Sequence, residues 1–494
     1  MRGVAWNWTG SGLLIAAQII STALTARLVS PAEFGLYATA QIASSLGGYF
    51  CLTAVGQGLQ RRSQLGSKTV GTAVTLALTS SLIVSSCLWF GGALWANAWG
   101  LPDAAWVVRV AGVTLFLQVG ATVPIAMLRR TLRFGRATVI ETSAGVTAMG
   151  LGVLLAFQFH SAMALAVGQL GGAALLLAAA LASGKTQMTP SYDRAEAREL
   201  FVFASQVGGL GFLDYLTVSM PAWFIARTFG ATTLGWYSRA SLMAELPASY
   251  SMTSIYKVIY PLYGRIRDDI SRVKALLSES LSLATGFLWP PFGVVAGGAP
   301  LLVRVLLGPK WADAATLFAL LCLGICAAIP SGLLTNYAEA MGWMRLIAVR
   351  QVALLGGVIG ALVIAYMLHL DIESLLLLYA GVLWLTYVFT LAPFVRNGLL
   401  DIRSLAETQL IHGALGGLCF VAAFGSVRLT ATSSLVVQLA TLGATTIVSF
   451  ASLLALRSWF PAGQVLATRL RQTEAPVGAW RWLRAFLKAE GVSE

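Results

Sequence analysis

Charge is scarce in this chain. Asp, Glu, Lys and Arg together make up 11% of its 494 residues, against about 25% in a soluble globular domain. That shortage excludes a string of soluble domains, although the length would hold two or three. Histidine is scarcer still. His160, His369 and His412 are scattered at the ends of apolar runs, without metal-ligand spacing, and no glycine-rich nucleotide loop is present. The polar breaks between apolar runs are too short to hold an extramembrane catalytic domain, so an enzyme is not expected, nor a cofactor. Five cysteines, Cys51, Cys87, Cys322, Cys326 and Cys419, all fall inside apolar runs and suggest no disulfide framework. Cys322 and Cys326 share a helix face and read as small buried thiols.

What the chain has in quantity is apolar length. Hydrophobic residues account for 57% and the mean hydropathy is +0.77. Runs of about 20 residues, enough to cross a bilayer, follow one another with short interruptions. Fourteen spans are expected: 4–28, 34–59, 69–92, 106–128, 137–159, 162–182, 200–225, 234–259, 275–299, 316–334, 346–368, 372–394, 405–425 and 433–456. The first is too long for a signal-peptide core and lacks a credible cleavage site, so it is read as a helix.

The basic residues test that map, because a missed span would scramble their alternation between sides. With the N-terminus in the cytoplasm, most of the 33 Lys and Arg fall on the cytoplasmic side. The exceptions are Arg27, Arg109, Arg227, Arg239, Arg304, Lys310 and Arg428. This bias explains most of the net charge of +13 without any nucleic-acid partner. It also places both termini in the cytoplasm.

The sequence repeats itself at an offset of 200. "TARLVSPAEFGLYATA" (25–40) returns in outline as "IARTFGATTLGWYSRA" (225–240), with Ala26, Arg27, Gly35, Tyr37 and Ala40 matching Ala226, Arg227, Gly235, Tyr237 and Ala240. Each copy joins an odd-numbered span to the next. In the first, Ser30 is the expected N-cap, Pro31 the first helical residue and Glu33 the third, reaching back to complete a capping box. In the second, Gly230 ends one helix and Thr232 or Thr233 caps the next. Gly35 and Gly235 permit close helix contact, and Tyr37 and Tyr237 suit the interfacial belt. A fainter echo links "VPIAMLRR" (123–130) with "IPSGLLTN" (329–336).

The expectation is an all-α membrane protein with two six-helix lobes as parallel pseudo-repeats, residues 1–185 and 195–398. Two further helices (399–460) and a cytoplasmic tail (461–494) follow. Parallel repeats of this kind are transporter architecture, with the substrate site between them. Within the tail, "GAWRWLRAFLK" (478–488) separates Trp480, Leu483 and Leu487 from Arg481, Arg484 and Lys488, the pattern of a helix lying on anionic lipid.

The two copies, together with "PIAMLRRTLRFGRATVIE" (124–141), "YPLYGRIRDD" (260–269) and "VRVLLGPKWADAA" (303–315), resemble the Wzx-type polysaccharide flippases. These belong to the multidrug/oligosaccharidyl-lipid/polysaccharide (MOP) exporter superfamily. The resemblance covers roughly residues 1–460. It implies a MATE-like fold and alternating access, moving a polyprenyl-diphosphate-linked oligosaccharide to the outer leaflet. A polysaccharide polymerase and glycosyltransferases would be its partners. Where relatives often carry an acid shortly before the segment matching "FIARTFG", this chain has Pro221, with Asp214 two turns earlier. A MATE-like multidrug antiporter is the alternative, although its first helix usually supplies an acid and this one offers Asn7 and Gln18. A lipid II flippase is a further alternative.

An anionic diphosphate crossing about 30 Å of hydrocarbon needs a cationic, wet path. Arg27, Arg227, Arg239 and Arg109 are the candidate substrate-binding residues. The competing role for each is snorkelling to the interface, favoured by a helix C-terminus. Asp214 and Glu245 fall near the middle of adjacent spans, where an ionisable group is costly and should face a cavity or partner. They are the candidates for proton or sodium coupling, or else a structural pair with Arg239. Glu141 is expected to pair with Arg136. The basic clusters 128–136 and 264–274 satisfy the topology, and could also capture a diphosphate head group.

Overall fold

The structure is a computed structural model that describes residues 2–51, 59, 66–183, 189–266 and 269–455. The surface helix expected at 478–488 lies outside them, as do Arg61, Arg62, Lys185 and Arg267. The described residues are helical almost throughout, with no strand among them. The order is α1 (Arg2–Leu28), α2 (Pro31–Phe50), α3 (Ser67–Ala98), α4 (Ala105–Gly120), α5 (Thr122–Arg130), α6 (Phe134–Phe159) and α7 (Ala162–Ser183). Then come α8 (Arg194–Ile266), α9 (Ile270–Gly297), α10 (Ala299–Leu306), α11 (Ala314–Ala340), α12 (Met344–Met367), α13 (Ile372–Arg396), α14 (Ile402–Leu429) and α15 (Leu435–Ala455). Lipid offers no partner for backbone N–H and C=O, so spanning segments must bond within themselves.

Eight of the described helices are long and apolar enough to span a bilayer, or nine if Ile270–Gly297 and Ala299–Leu306 count together. Gly12–Leu28 and Leu435–Val448 are shorter apolar segments. Many side chains facing outward are large and apolar, among them Phe90 and Leu94 on α3 and Leu154 and Phe157 on α6. That distribution is inside-out for water and correct for lipid. The chain is a multi-pass membrane protein.

Two compact units form, and neither is one continuous segment. The first comprises Met1–Pro247, Ala299–Gly324 and Arg345–Thr386; the second comprises Ala248–Gly298, Ile325–Met344 and Tyr387–Glu494. Inside the first, α6 packs on α7 along a seam of small residues. A Cβ on Gly168 would stand 2.5 Å from the Gly152 amide nitrogen, and one on Gly172 2.7 Å from the Ala144 carbonyl. With no hydrophobic drive between helices in lipid, this backbone approach is the main source of association. Inside the second, α9 meets α14 the same way, Gly293 against the Gly416 carbonyl. Thr285 and His412 are buried there and hydrogen-bonded to each other at 2.8 Å.

Candidate functional site

The site is best built from the repeated hairpin, which lies wholly in the first unit. Ser30 is the N-cap of α2, its Oγ accepting from the Glu33 amide at 3.3 Å, with Pro31 at the first position. Glu33, however, does not reach back to Ser30. Its Oε2 accepts from the Ala162 amide at 2.6 Å, so it caps the start of α7 instead. A carboxylate at a helix N-terminus gains both the orphan donor and the dipole, and the chain between α6 and α7 delivers that terminus to it. In the second copy the helix breaks at Gly230 (φ 84°, ψ −177°) inside α8. The expected threonine cap is not used: Thr233 Oγ1 donates back to the Phe229 carbonyl at 3.1 Å, bridging the break.

The two copies meet each other reciprocally. A Cβ on Gly35 would stand 2.0 Å from the Ala231 carbonyl oxygen, and one on Gly235 would stand 1.8 Å from that of Pro31. Pro31 and Ala231 are themselves matched positions of the repeat. The repeat is therefore a pseudo-two-fold crossing of helix starts, passable only where both contact residues lack a side chain.

Just beyond the crossing, Tyr37 and Tyr237 are buried, 7% and 6% exposed, and not in an interfacial belt. Each turns inward to polar partners. The Tyr37 hydroxyl accepts from Gln41 Nε2 at 3.1 Å and is bonded to the Gln169 side chain. Tyr237 lines a cavity with Ser241 and Arg239.

Of the four candidate arginines, Arg239 lines a cavity. It is 7% exposed, with its guanidinium carbon 4.7 Å from the centre of the Phe34 ring. Its Nε is buried without a hydrogen-bond partner, and among the described residues no carboxylate lies within ion-pair distance. A cation–π contact of about 0.5–2 kcal/mol does not offset burying an unpaired charge, which costs several kcal/mol. Arg109 stacks on Trp106 at 4.4 Å and also keeps a buried Nε without a partner. Arg227 packs over Gly100, and Arg27 donates from Nη2 to the Val305 carbonyl at 2.8 Å.

Arg27 belongs to a clasp that sequence reasoning missed. Lys310 Nζ donates to the carbonyls of Arg27 and Val29 at 3.0 and 2.8 Å, and Trp311 Nε1 donates to that of Ala26 at 2.8 Å. These are orphan acceptors at the end of α1. Trp311 is fully buried and meets the Phe34 ring edge-on at 5.3 Å, which ties the clasp to the ring beneath Arg239. Partial burial holds the Lys310 ammonium below the usual lysine range.

The two candidate carboxylates are held by separate partners. Asp214 Oδ1 accepts from Gln351 Nε2 at 3.5 Å, and the same amide donates to Thr217 Oγ1 at 3.2 Å. Glu245 Oε1 accepts from Ser241 Oγ at 2.7 Å. Glu141 pairs with Arg129 at 2.7 Å rather than with Arg136; both flank the α5–α6 turn, which brings the two helix ends together.

Two cavities open beside these residues. One, of about 370 Å³, is lined by Tyr37, Gln41, Ser44, Ser45, Gln118 and Gln169 among others. The other, of about 220 Å³, is lined by Gln41, Ser45, Tyr237, Arg239, Ser241 and Glu245 among others. Gln41 and Ser45 border both. The glutamines were not singled out from sequence; an amide within an apolar run is the signal that would have found them.

Residues 24–316, more than half of the chain, match the family described as Polysaccharide biosynthesis protein. The succinoglycan biosynthesis transport protein ExoT of Rhizobium meliloti (strain 1021) is 26% identical over 429 residues, covering 83% of this chain and 84% of that protein. The lipopolysaccharide biosynthesis protein WzxC of Escherichia coli (strain K12) is 19% identical over 325 residues, covering 65% and 66%. Among solved structures, the lipid II flippase MurJ in an inward closed conformation is similar with a TM-score of 0.72 at 11% identity, covering 93% of this chain and 99% of that one. An inward-facing MATE family multidrug resistance transporter of the MOP superfamily is similar with a TM-score of 0.61 at 14% identity, covering 80% and 96%. At those identities the solved structures speak for the fold. Repeat, helix order and family match converge: the chain belongs to the polysaccharide biosynthesis protein family and has the helical membrane fold of the MOP transporters.

Proposed function

We propose that the protein is a flippase, moving a polyprenyl-diphosphate-linked oligosaccharide across the bacterial inner membrane by alternating access, with both termini in the cytoplasm. The observation that carries the reading is Arg239. A buried guanidinium with a free Nε, lining a cavity in a membrane protein of this family, is a site prepared for an anion. The family match and the transport relatives support an exported saccharide as the cargo. A polymerase and glycosyltransferases would act before and after it.

Direction follows from charge. The anionic diphosphate leaves a negative interior, which favours export by about 2.3 kcal/mol per charge per 100 mV. Return of the empty carrier needs its own drive, and Asp214 and Glu245 are our candidates for it, binding a proton or sodium ion when the cavity is vacant. The glutamine and serine that hold them supply the hydrogen bonds either protonation state requires. A fluorescent lipid-linked saccharide in proteoliposomes tests this. Export should rise with an imposed proton or sodium gradient, and Asp214→Asn or Glu245→Gln should abolish that increment. Gradient-independent flipping would leave the two carboxylates as packing groups, and drug efflux without saccharide flipping would favour the antiporter.

A further inference from the structure

The two cavities differ in chemistry. At matched positions the first copy has Thr39 and Ser45 where the second has Arg239 and Glu245. Among the described residues that line the larger cavity there is no carboxylate, lysine or arginine, and more than half of them carry an amide or a hydroxyl. The fold does not impose that neutrality, since its own second copy departs from it.

We propose that the larger cavity is a subsite for uncharged sugar residues of the cargo. The proposal rests on the flippase reading and adds which part of the substrate is read there. A sugar presents closely spaced groups that both donate and accept, and carboxamides and hydroxyls do the same. Gln41 spends one donor on the Tyr37 hydroxyl, which fixes its orientation and leaves its carbonyl and second N–H available. Thr114 and Thr122 donate to the nearby carbonyls of Val110 and Val119 on α4, so toward the cavity they offer lone pairs. An anion would find no cation here, a cation no carboxylate, and an apolar drug would strand the amides without partners. The volume of about 370 Å³ lies at the small end of the roughly 300–1,000 Å³ typical of ligand sites, which suits a short saccharide end. Gln41 and Ser45, shared with the Arg239 cavity, place sugar and diphosphate chemistry side by side.

The test uses the full chain in nanodiscs and three probes: bare polyprenyl diphosphate, the same lipid carrying one neutral hexose, and the same lipid carrying one hexuronic acid. The hexose lipid should bind about tenfold tighter than the bare lipid, the scale of one or two net hydrogen bonds. The hexuronate should show no such preference. Gln118→Leu and Gln169→Leu should each shrink the hexose preference to under threefold. Gln118→Ala serves if a leucine variant fails to fold. Equal binding of hexose and bare lipid by the wild type, or an unchanged preference in the folded variants, overturns the sugar subsite while leaving the flippase reading intact. Binding of no lipid diphosphate at all overturns both.

Discussion

Gly35→Ala should destabilise this protein, whereas the same change at Gly150 should stabilise it. Both glycines lie inside helices, and alanine is the better helix former by about 0.8–1 kcal/mol. Gly150 is exposed, with nothing within 4 Å of an added Cβ, so it should gain much of that. At Gly35 the added carbon would stand 2.0 Å from the Ala231 carbonyl oxygen. Ordinary contact begins near 3.4 Å, so two backbones must part by more than 1 Å. The obstacle is a carbonyl and cannot rotate away, which puts the cost at or above the roughly 1–3 kcal/mol of an overpacked core. Gly235→Ala should cost as much, because its Cβ would meet Pro31 at 1.8 Å. One separation relieves both clashes, so the double variant should cost clearly less than the two singles combined. Thermal unfolding of the four variants in one detergent reads this. Strict additivity, or a Gly35→Ala variant as stable as wild type, would refute the reciprocal crossing.

Glu33→Ala should lower stability by about 1 kcal/mol by stripping the start of α7 of its acceptor, and Glu33→Gln should restore most of it; equal loss in both would deny the cap, with unfolding midpoints as the measure. Trp311→Phe keeps a ring against Phe34 but leaves the buried Ala26 carbonyl unpaired, for a loss of about 1–3 kcal/mol, read in the same assay. Asp269 caps α9, and its bonds from the Arg272 amide and the Ser271 hydroxyl hold its carboxyl below the usual range. That contribution is complete above the unfolded carboxyl's pKa and is lost as pH falls through the lower folded value. Comparing Asp269→Asn with wild type from pH 6 to pH 3 should therefore show the wild type losing ground as acid is added.

Much of the fold was legible in the sequence because lipid imposes it: apolar length gives spans. The repeat was legible too, and Ser30, Pro31, Gly35 and Gly230 act as their local chemistry dictates. What failed were inferences about partners distant in sequence. Glu33 had a local acceptor role by pattern and took Ala162 instead. Tyr37 and Tyr237 suited an interface by composition, yet tertiary packing buried them against cavities lined by polar side chains. The Lys310–Trp311 clasp onto α1 joins residues more than 280 apart, beyond any periodicity. Arg239 was separable from Arg27 and Arg227 only once burial was known, since all three sit at similar places in apolar runs.

The account turns on Arg239 as the group that receives the diphosphate. The direct measurement is flipping of a fluorescent polyprenyl-diphosphate saccharide in proteoliposomes, normalised to folded protein, for wild type, Arg239→Lys and Arg239→Ala. Lysine keeps the charge but not the planar fork that grips two oxygens. Flipping should fall roughly tenfold or more in the alanine variant, a loss of about 1.4 kcal/mol or greater, and recover in part with lysine. Normal flipping by a folded Arg239→Ala protein would contradict the account.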